Sequence, residues 1–282
     1  MNHTANAVRA GLARGWIELK QTATNGQDIF GNLLTPVILL IVMLSMRGDT
    51  LAGFPLSQAV FALPGVIGMN IMISGLMDIA GRLAVEREDG TLLRAKALPS
   101  GMVGYMVGKV VTVSGSALVV AAAIIVPGAF LFDGLRLDAG AWLGLLGILV
   151  LGLLATMPLG AIAGSFLTNP RAVGALMLPI AGLAAISGIF APITLFPEWL
   201  QWIGQVFPMY WLGLGVRSAL LPDAAVAIEI GESWRQLETV AVLGVWAVIG
   251  LVVAPVVLRR MARRESGAAV AQRRHKAMQR IT

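Results

Sequence analysis

Six long apolar runs leave this chain few folds to adopt. They cover approximately Phe30–Met46, Leu56–Ala80, Gly101–Phe132, Ala139–Leu167, Ala172–Phe190 and Leu237–Leu258. A bilayer core about 30 Å thick takes about 20 apolar residues of helix. In lipid every backbone polar group needs a partner within the protein, so each run is expected as a helix. The third run contains Pro127-Gly128, a missing donor beside a weak helix former, and its helix is expected to end there. The predicted fold class is all-α and polytopic, with spans at about 30–46, 56–80, 101–127, 139–167, 172–190 and 237–258.

Composition narrows the chemistry. Hydrophobic residues make up 57% and charged residues 13% of the 282, against roughly a quarter charged in soluble domains. A soluble enzyme and a disordered chain are both excluded. With zero Cys there is no disulfide framework, zinc finger, iron–sulfur ligation or thiol catalysis. The two histidines, His3 and His275, lie in the tails, so no HExxH helix or Ser-His-Asp arrangement can form in the apolar body. No catalytic residue and no metal site are expected, and the chain points to transport or anchoring.

Six spans put both termini on one side, and the Lys/Arg bias assigns that side to the cytoplasm. With the N-terminus inside, 17 of the 21 basic residues are cytoplasmic, and only Arg47, Arg136, Arg217 and Arg235 remain outside. The net charge of +6 is therefore a topology signal, not a nucleic-acid-binding surface. The tail at 259–282 is a solvated stop-transfer segment or a contact for anionic headgroups. No cleavable signal peptide is expected. Instead, residues 8–28 are predicted to form an amphipathic interfacial helix, with Val8, Leu12, Trp16 and Leu19 on one stripe and Arg14, Glu18 and Gln21 opposite.

Between the second and third spans the inside loop holds the densest charge before the tail. Gly90 interrupts the helix leaving the membrane, Thr91 is the expected N-cap, Leu92 to Leu98 make about two turns, and Pro99 closes them. This short cytoplasmic helix is expected to expose Leu92, Leu93 and Leu98 beside Arg94 and Lys96, a surface suited to a partner's groove. The block Glu86-Arg-Glu-Asp-Gly90-Thr91-Leu92, followed by Pro99, resembles the loop signature of ABC-2 type exporter permeases. A second block is similar to that family's segment after the fifth span: Ser187-Gly188-Ile189-Phe190-Ala-Pro192, then Phe196-Pro197-Glu198-Trp199-Leu200, then Phe207-Pro208-Met209-Tyr210-Trp211 and Arg217. Within the family the chain most resembles small drug-exporter permeases of the daunorubicin-resistance kind.

The resemblance implies a subunit of a bacterial cytoplasmic membrane that pairs with a second permease copy, with a separate ATP-binding cassette ATPase below each copy. It implies that Thr91–Leu98 is the coupling helix, with Glu86, Arg87, Gly90, Thr91, Leu92, Leu93 and Arg94 as the coupling residues. Glu86 and Arg87 would meet the leader helix and the ATPase. This chain would bind no cofactor, since ATP and Mg belong to the ATPase. Drugs, antibiotics or other amphipathic compounds suit an apolar pathway; lipids and glycan carriers are exported by similar proteins.

Between Ala191 and Gln236 four prolines, Pro192, Pro197, Pro208 and Pro222, break the chain, and Trp199, Trp202, Tyr210 and Trp211 suit a membrane–water boundary. Re-entrant extracellular helices that cap the pathway are expected here, with Pro192, Pro197, Trp199, Pro208 and Tyr210 at the gate; plain interfacial anchoring is the alternative. Gly104-Tyr-Met-Val-Gly108-Lys109 misses the phosphate-loop spacing and lacks Ser or Thr after Lys109. Gly160-Ala-Ile-Ala-Gly164 allows close helix approach, within the subunit or between copies. Asp78 and Arg82 are expected to pair at i,i+4. Asn70 and Ser74 are candidates for lining the pathway, or for bonding a neighbouring helix. An ion-coupled transporter would show midplane charges and an internal repeat, and the sequence has neither. A lipid-acting enzyme would have only carboxylates such as Asp133 or Glu198 to work with.

Overall fold

The computed structural model describes residues 3–51, 56–98, 100–167 and 170–264. Among these, helices account for nearly everything, and the β pairing is a single antiparallel bridge between Thr50 and Ser57. In chain order the helices are α1 His3–Thr24, α2 Gly26–Ser45, α3 Gln58–Ile73, α4 Ile79–Glu88, α5 Thr91–Ala97, α6 Gly101–Leu131, α7 Ala139–Phe166, α8 Met177–Ile186, α9 Glu198–Val206, α10 Pro208–Leu220 and α11 Gln236–Arg264. A π-turn, Ser74–Asp78, joins α3 to α4 into one continuous rod.

Five helical stretches are long and apolar enough to cross a membrane: α2, the α3–α4 rod, α6, α7 and α11. Three begin on side-chain caps, with Asn25, Ser57 and Asp138 accepting from the backbone N–H of Gln27, Val60 and Ala141 at 3.0, 3.2 and 3.0 Å. The cap at Asn25 corrects the interfacial helix expected over 8–28, because it ends α1 at Thr24 and starts the first span at Gly26. The second span runs past Ala80 to Glu88.

Pro127 does not stop α6, which continues to Leu131. One proline removes a single donor, and a membrane helix tolerates that loss where neighbours pack against it; Leu63 lies against Gly128 on the next position. The fifth apolar run forms only a 3₁₀ segment, Pro170–Leu176, and the ten-residue α8. Its helix breaks at Ser187-Gly188, where Gly188 takes φ 65°.

The α3–α4 rod is the axis, with 72% of its apolar window buried, whereas α2 and α11 are peripheral at 17% and 22%. Glycines set its close approaches. Beside the π-turn, a Cβ on Gly75 would overlap the Thr156 side chain and one on Gly160 would overlap the Gly75 carbonyl oxygen. Gly164 meets Ala80 in the same way, so the Gly160/Gly164 pair packs α7 against the rod within one subunit.

Candidate functional site

At one end of the bundle α4 leaves the core with Glu86 and Arg87 on its last turns. Gly90 then takes φ 78°, a left-handed conformation that a side chain would strain. Asp89 Oδ1 accepts the Thr91 N–H at 2.7 Å. Asp89 and Gly90 therefore start α5, in place of the expected Thr91 cap, because the carboxylate two residues ahead reaches the free donor first. Thr91 is the first helical residue, and its hydroxyl accepts from Arg94 Nη2 at 3.1 Å.

The expected exposure of Leu92 is also corrected: it is 1% exposed, since α5 lies against α4 and α6 and Leu92 and Ala95 fall on that side. Leu93 is half-buried. Arg94, Lys96 and Leu98 face outward, Leu98 at 65% exposure. Lys96 Nζ donates to Ala262 O at 2.7 Å, which puts α5 and the C-terminal end of α11 at the same end of the bundle. Pro99 and the tail from 265 onward lie outside the described residues.

Glu86 belongs to a knot of charges from three helices. Lys109 Nζ of α6 lies 2.5 Å from Glu86 Oε1 and 3.0 Å from Glu18 Oε2. Arg14 Nε is 2.8 Å from Glu18 Oε1, and Thr112 Oγ1 donates to Glu18 Oε2 at 3.2 Å. Two cations thus meet two carboxylates. Burial pushes the Glu18 carboxyl up, but hydrogen bonds from Arg14 and Lys109 outweigh it and hold the group below the ordinary value of 4.5. Arg87 turns away from the knot. Its Nη1 donates to the Ser165 and Leu167 carbonyls at 3.1 and 2.8 Å, closing the C-terminus of α7.

The knot is built on the polar face expected of the leader helix. Glu18 turns toward the protein with the half-open Arg14 beside it, while Leu12 and Trp16 on the opposite stripe are exposed at 48% and 55%. Backbone contact causes the turn: a Cβ on Gly11 would overlap the Gly104 carbonyl oxygen, and one on Gly15 would lie 2.6 Å from Gly108 O. The glycine pair that imitates a phosphate loop is therefore the seat of α1. Sequence reasoning missed Lys109; its signal was a lone ammonium in an apolar helix, which needs buried carboxylates as partners.

At the opposite end α9 and α10 form a helical hairpin that turns back into the bundle. The Trp246 indole donates to Val206 O at 2.9 Å, and Phe207 stacks on the Trp246 ring. Trp246 stands ten residues into α11, so the hairpin turn lies about 15 Å inside the bundle. From there α10 climbs back along α7, with Leu212 against Gly152, Gly215 against Ile148 and Ala219 near Gly144. Non-helical backbone at such depth needs partners; the Trp211 indole gives Gln205 O a second one at 2.6 Å.

Of the residues predicted for this gate, Pro208 starts α10 from a buried position, Tyr210 is fully buried, and Pro192 is buried below α9. Pro197 and Trp199 start α9 on its exposed side. What holds the hairpin was not foreseen: Arg217, wholly buried, places Nε 2.6 Å from Glu229 Oε1, donates Nη1 to Gly188 O at 2.9 Å and covers the Phe61 ring.

Between the two ends, Asn70 keeps a buried side-chain oxygen without a hydrogen-bond partner, and the buried Ser74 opens the π-turn. Asp78 and Arg82 border a polar cavity of about 480 Å³ with Asn32 and Ser116 and do not close into the expected ion pair. The π-turn ending at Asp78 shifts the helical register there. Among the described residues no group of three His, Asp or Glu side chains gathers to hold a metal.

No curated protein matches this chain. A family model described as ABC-2 family transporter protein matches residues 17–255, from the leader helix through most of α11. That stretch takes in Glu18, Glu86 and Lys109 of the knot, α5 and the hairpin, and the chain belongs to the ABC-2 transporter family as a multi-pass membrane permease subunit, a membership that implies an ATP-binding cassette ATPase partner.

Proposed function

We propose that the chain is the permease subunit of an ATP-driven exporter and that α5 is its coupling helix. The observation that carries this reading is the two-sidedness of α5: Leu92 and Ala95 root it in the core, while Arg94, Lys96 and Leu98 stay outside. A helix of seven residues held this way moves as part of its base. A push on it reaches α1 and α6 through Glu86 and Lys109, α7 through Arg87, and the rod through α4.

In this reading the α5 end faces the cytoplasm of a bacterial cell, with both termini on that side, as the basic residues there support. The α8 region completes the sixth crossing. Two copies form the pathway, one ATPase sits under each, and ATP and Mg are bound and ATP hydrolysed in that partner and not here. The apolar lining of the bundle supports amphipathic cargo such as drugs. The test is co-purification with the ATPase and efflux against a compound panel. Arg94→Glu with Leu98→Asp is expected to abolish both complex and efflux while leaving the membrane-inserted fold intact; full efflux from that double variant would overturn the assignment.

A further inference from the structure

A laterally placed apolar groove of about 530 Å³ lies between α6 and α11 at the α5 end. Its walls run along α11 from Leu251 to Ala262, about 16 Å of helix. Val103, Val110 and Leu258 line it and hardly any polar group does, apart from Tyr105, Lys109 and, at its α5 end, Arg259. Lys109 is already neutralised by Glu86 and Glu18. The α5 end is not. Arg259 and Arg263, one turn apart on the same face, are exposed and have no carboxylate partner among the described residues. Another cation at that end, Lys96, spends its ammonium on Ala262 O.

We infer that this groove binds one anionic diacyl phospholipid, its acyl chains between α6 and α11 and its phosphate at Arg259 and Arg263. Charge decides the occupant. The walls take any alkyl chain, but two guanidiniums with no carboxylate partner among the described residues select, at headgroup level, a phosphate whose net charge no choline cancels. This lipid would fasten the peripheral α11 to α6, a pair otherwise separated by the groove. The inference concerns a bound lipid and stands apart from ATPase coupling, so either can fail alone.

The test is lipid retention by the full-length purified chain, exchanged in nanodiscs of phosphatidylglycerol and phosphatidylcholine and read by native mass spectrometry. The wild type is expected to prefer phosphatidylglycerol about 30-fold, and each of Arg259→Gln and Arg263→Gln to lower that preference about fivefold. Arg259→Lys with Arg263→Lys is expected to keep most of it, and Val110→Trp, which fills the groove from its lipid-exposed wall, to remove retention of both lipids. Equal retention of the two lipids by the wild type would overturn the inference, as would an unchanged preference in the double glutamine variant. Displacement of the lipid by an exported amphipathic compound, with no headgroup preference, would assign the groove to cargo instead.

Discussion

The two ends of the molecule handle buried charge in opposite ways. At the α5 end Arg14, Glu18, Glu86 and Lys109 share partners across three helices, with Arg14 and Glu18 partly open to water while Lys109 is buried and Glu86 Oε2 has no hydrogen bond. At the hairpin end Arg217 and Glu229 form one pair, both almost fully buried, and leave Arg217 Nη2 and Glu229 Oε2 without hydrogen bonds. A shared network keeps its charges compensated while helices shift slightly. A lone buried pair has one good geometry and loses much when either member goes. The contrast suits the proposed coupling role of the α5 end and an end that holds a buried helical hairpin in place.

The largest expected effect follows from the lone pair. Arg217→Met strands Glu229 in the core and should cost about 3–5 kcal/mol, measured by thermal unfolding in detergent. Arg217→Met with Glu229→Leu should recover most of that loss. Recovery would show that the stranded charge, and not the missing contact, sets the cost.

A smaller loss is expected at the knot. Lys109→Met should cost about 2–3 kcal/mol, since Arg14 remains 3.9 Å from Glu86 and 2.8 Å from Glu18 as a substitute partner. A loss as large as that of Arg217→Met would break the distinction between network and pair. Gly11→Ala sets a methyl against Gly104 O and should cost about 1–3 kcal/mol through overpacking. Its signature would be increased proteolysis of α1 with the rest of the bundle protected.

The smallest effect is a pH dependence. Because the Glu18 carboxyl is held below 4.5, its contribution to docking α1 is complete above that value and is lost as pH falls through the lower folded value. Protection of α1 in hydrogen exchange should therefore weaken only in acid. Glu18→Gln should lower protection at neutral pH and remove this acid dependence.

Five of the six expected spans were legible because apolar length alone sets them, whereas the fifth run, equally apolar, folds into a 3₁₀ segment and a ten-residue helix; the leader, loop and hairpin followed from Gly, Pro and aromatic punctuation. Boundaries were not. Asn25 caps a helix inside a stretch that reads as one amphipathic segment, and Pro127 is carried by packing that no local rule contains. Leu92 looked exposed because period alone does not say which side of a two-turn helix meets α4 and α6. Lys109 with Glu18 and Glu86, and Arg217 with Glu229, join residues up to 91 positions apart. Charges of that kind read as topology until the fold brings them together.

The central claim, that α5 offers its outer face to an ATPase on the cytoplasmic side, is tested most directly by thiol labelling. The chain has no cysteine, so Leu98→Cys provides a single reactive site on an exposed position. With a membrane-impermeant maleimide, labelling should occur in inside-out vesicles stripped of ATPase, fall when the ATPase is restored, and be absent in intact cells. Labelling from outside intact cells, or labelling that the restored ATPase leaves unchanged, would contradict it.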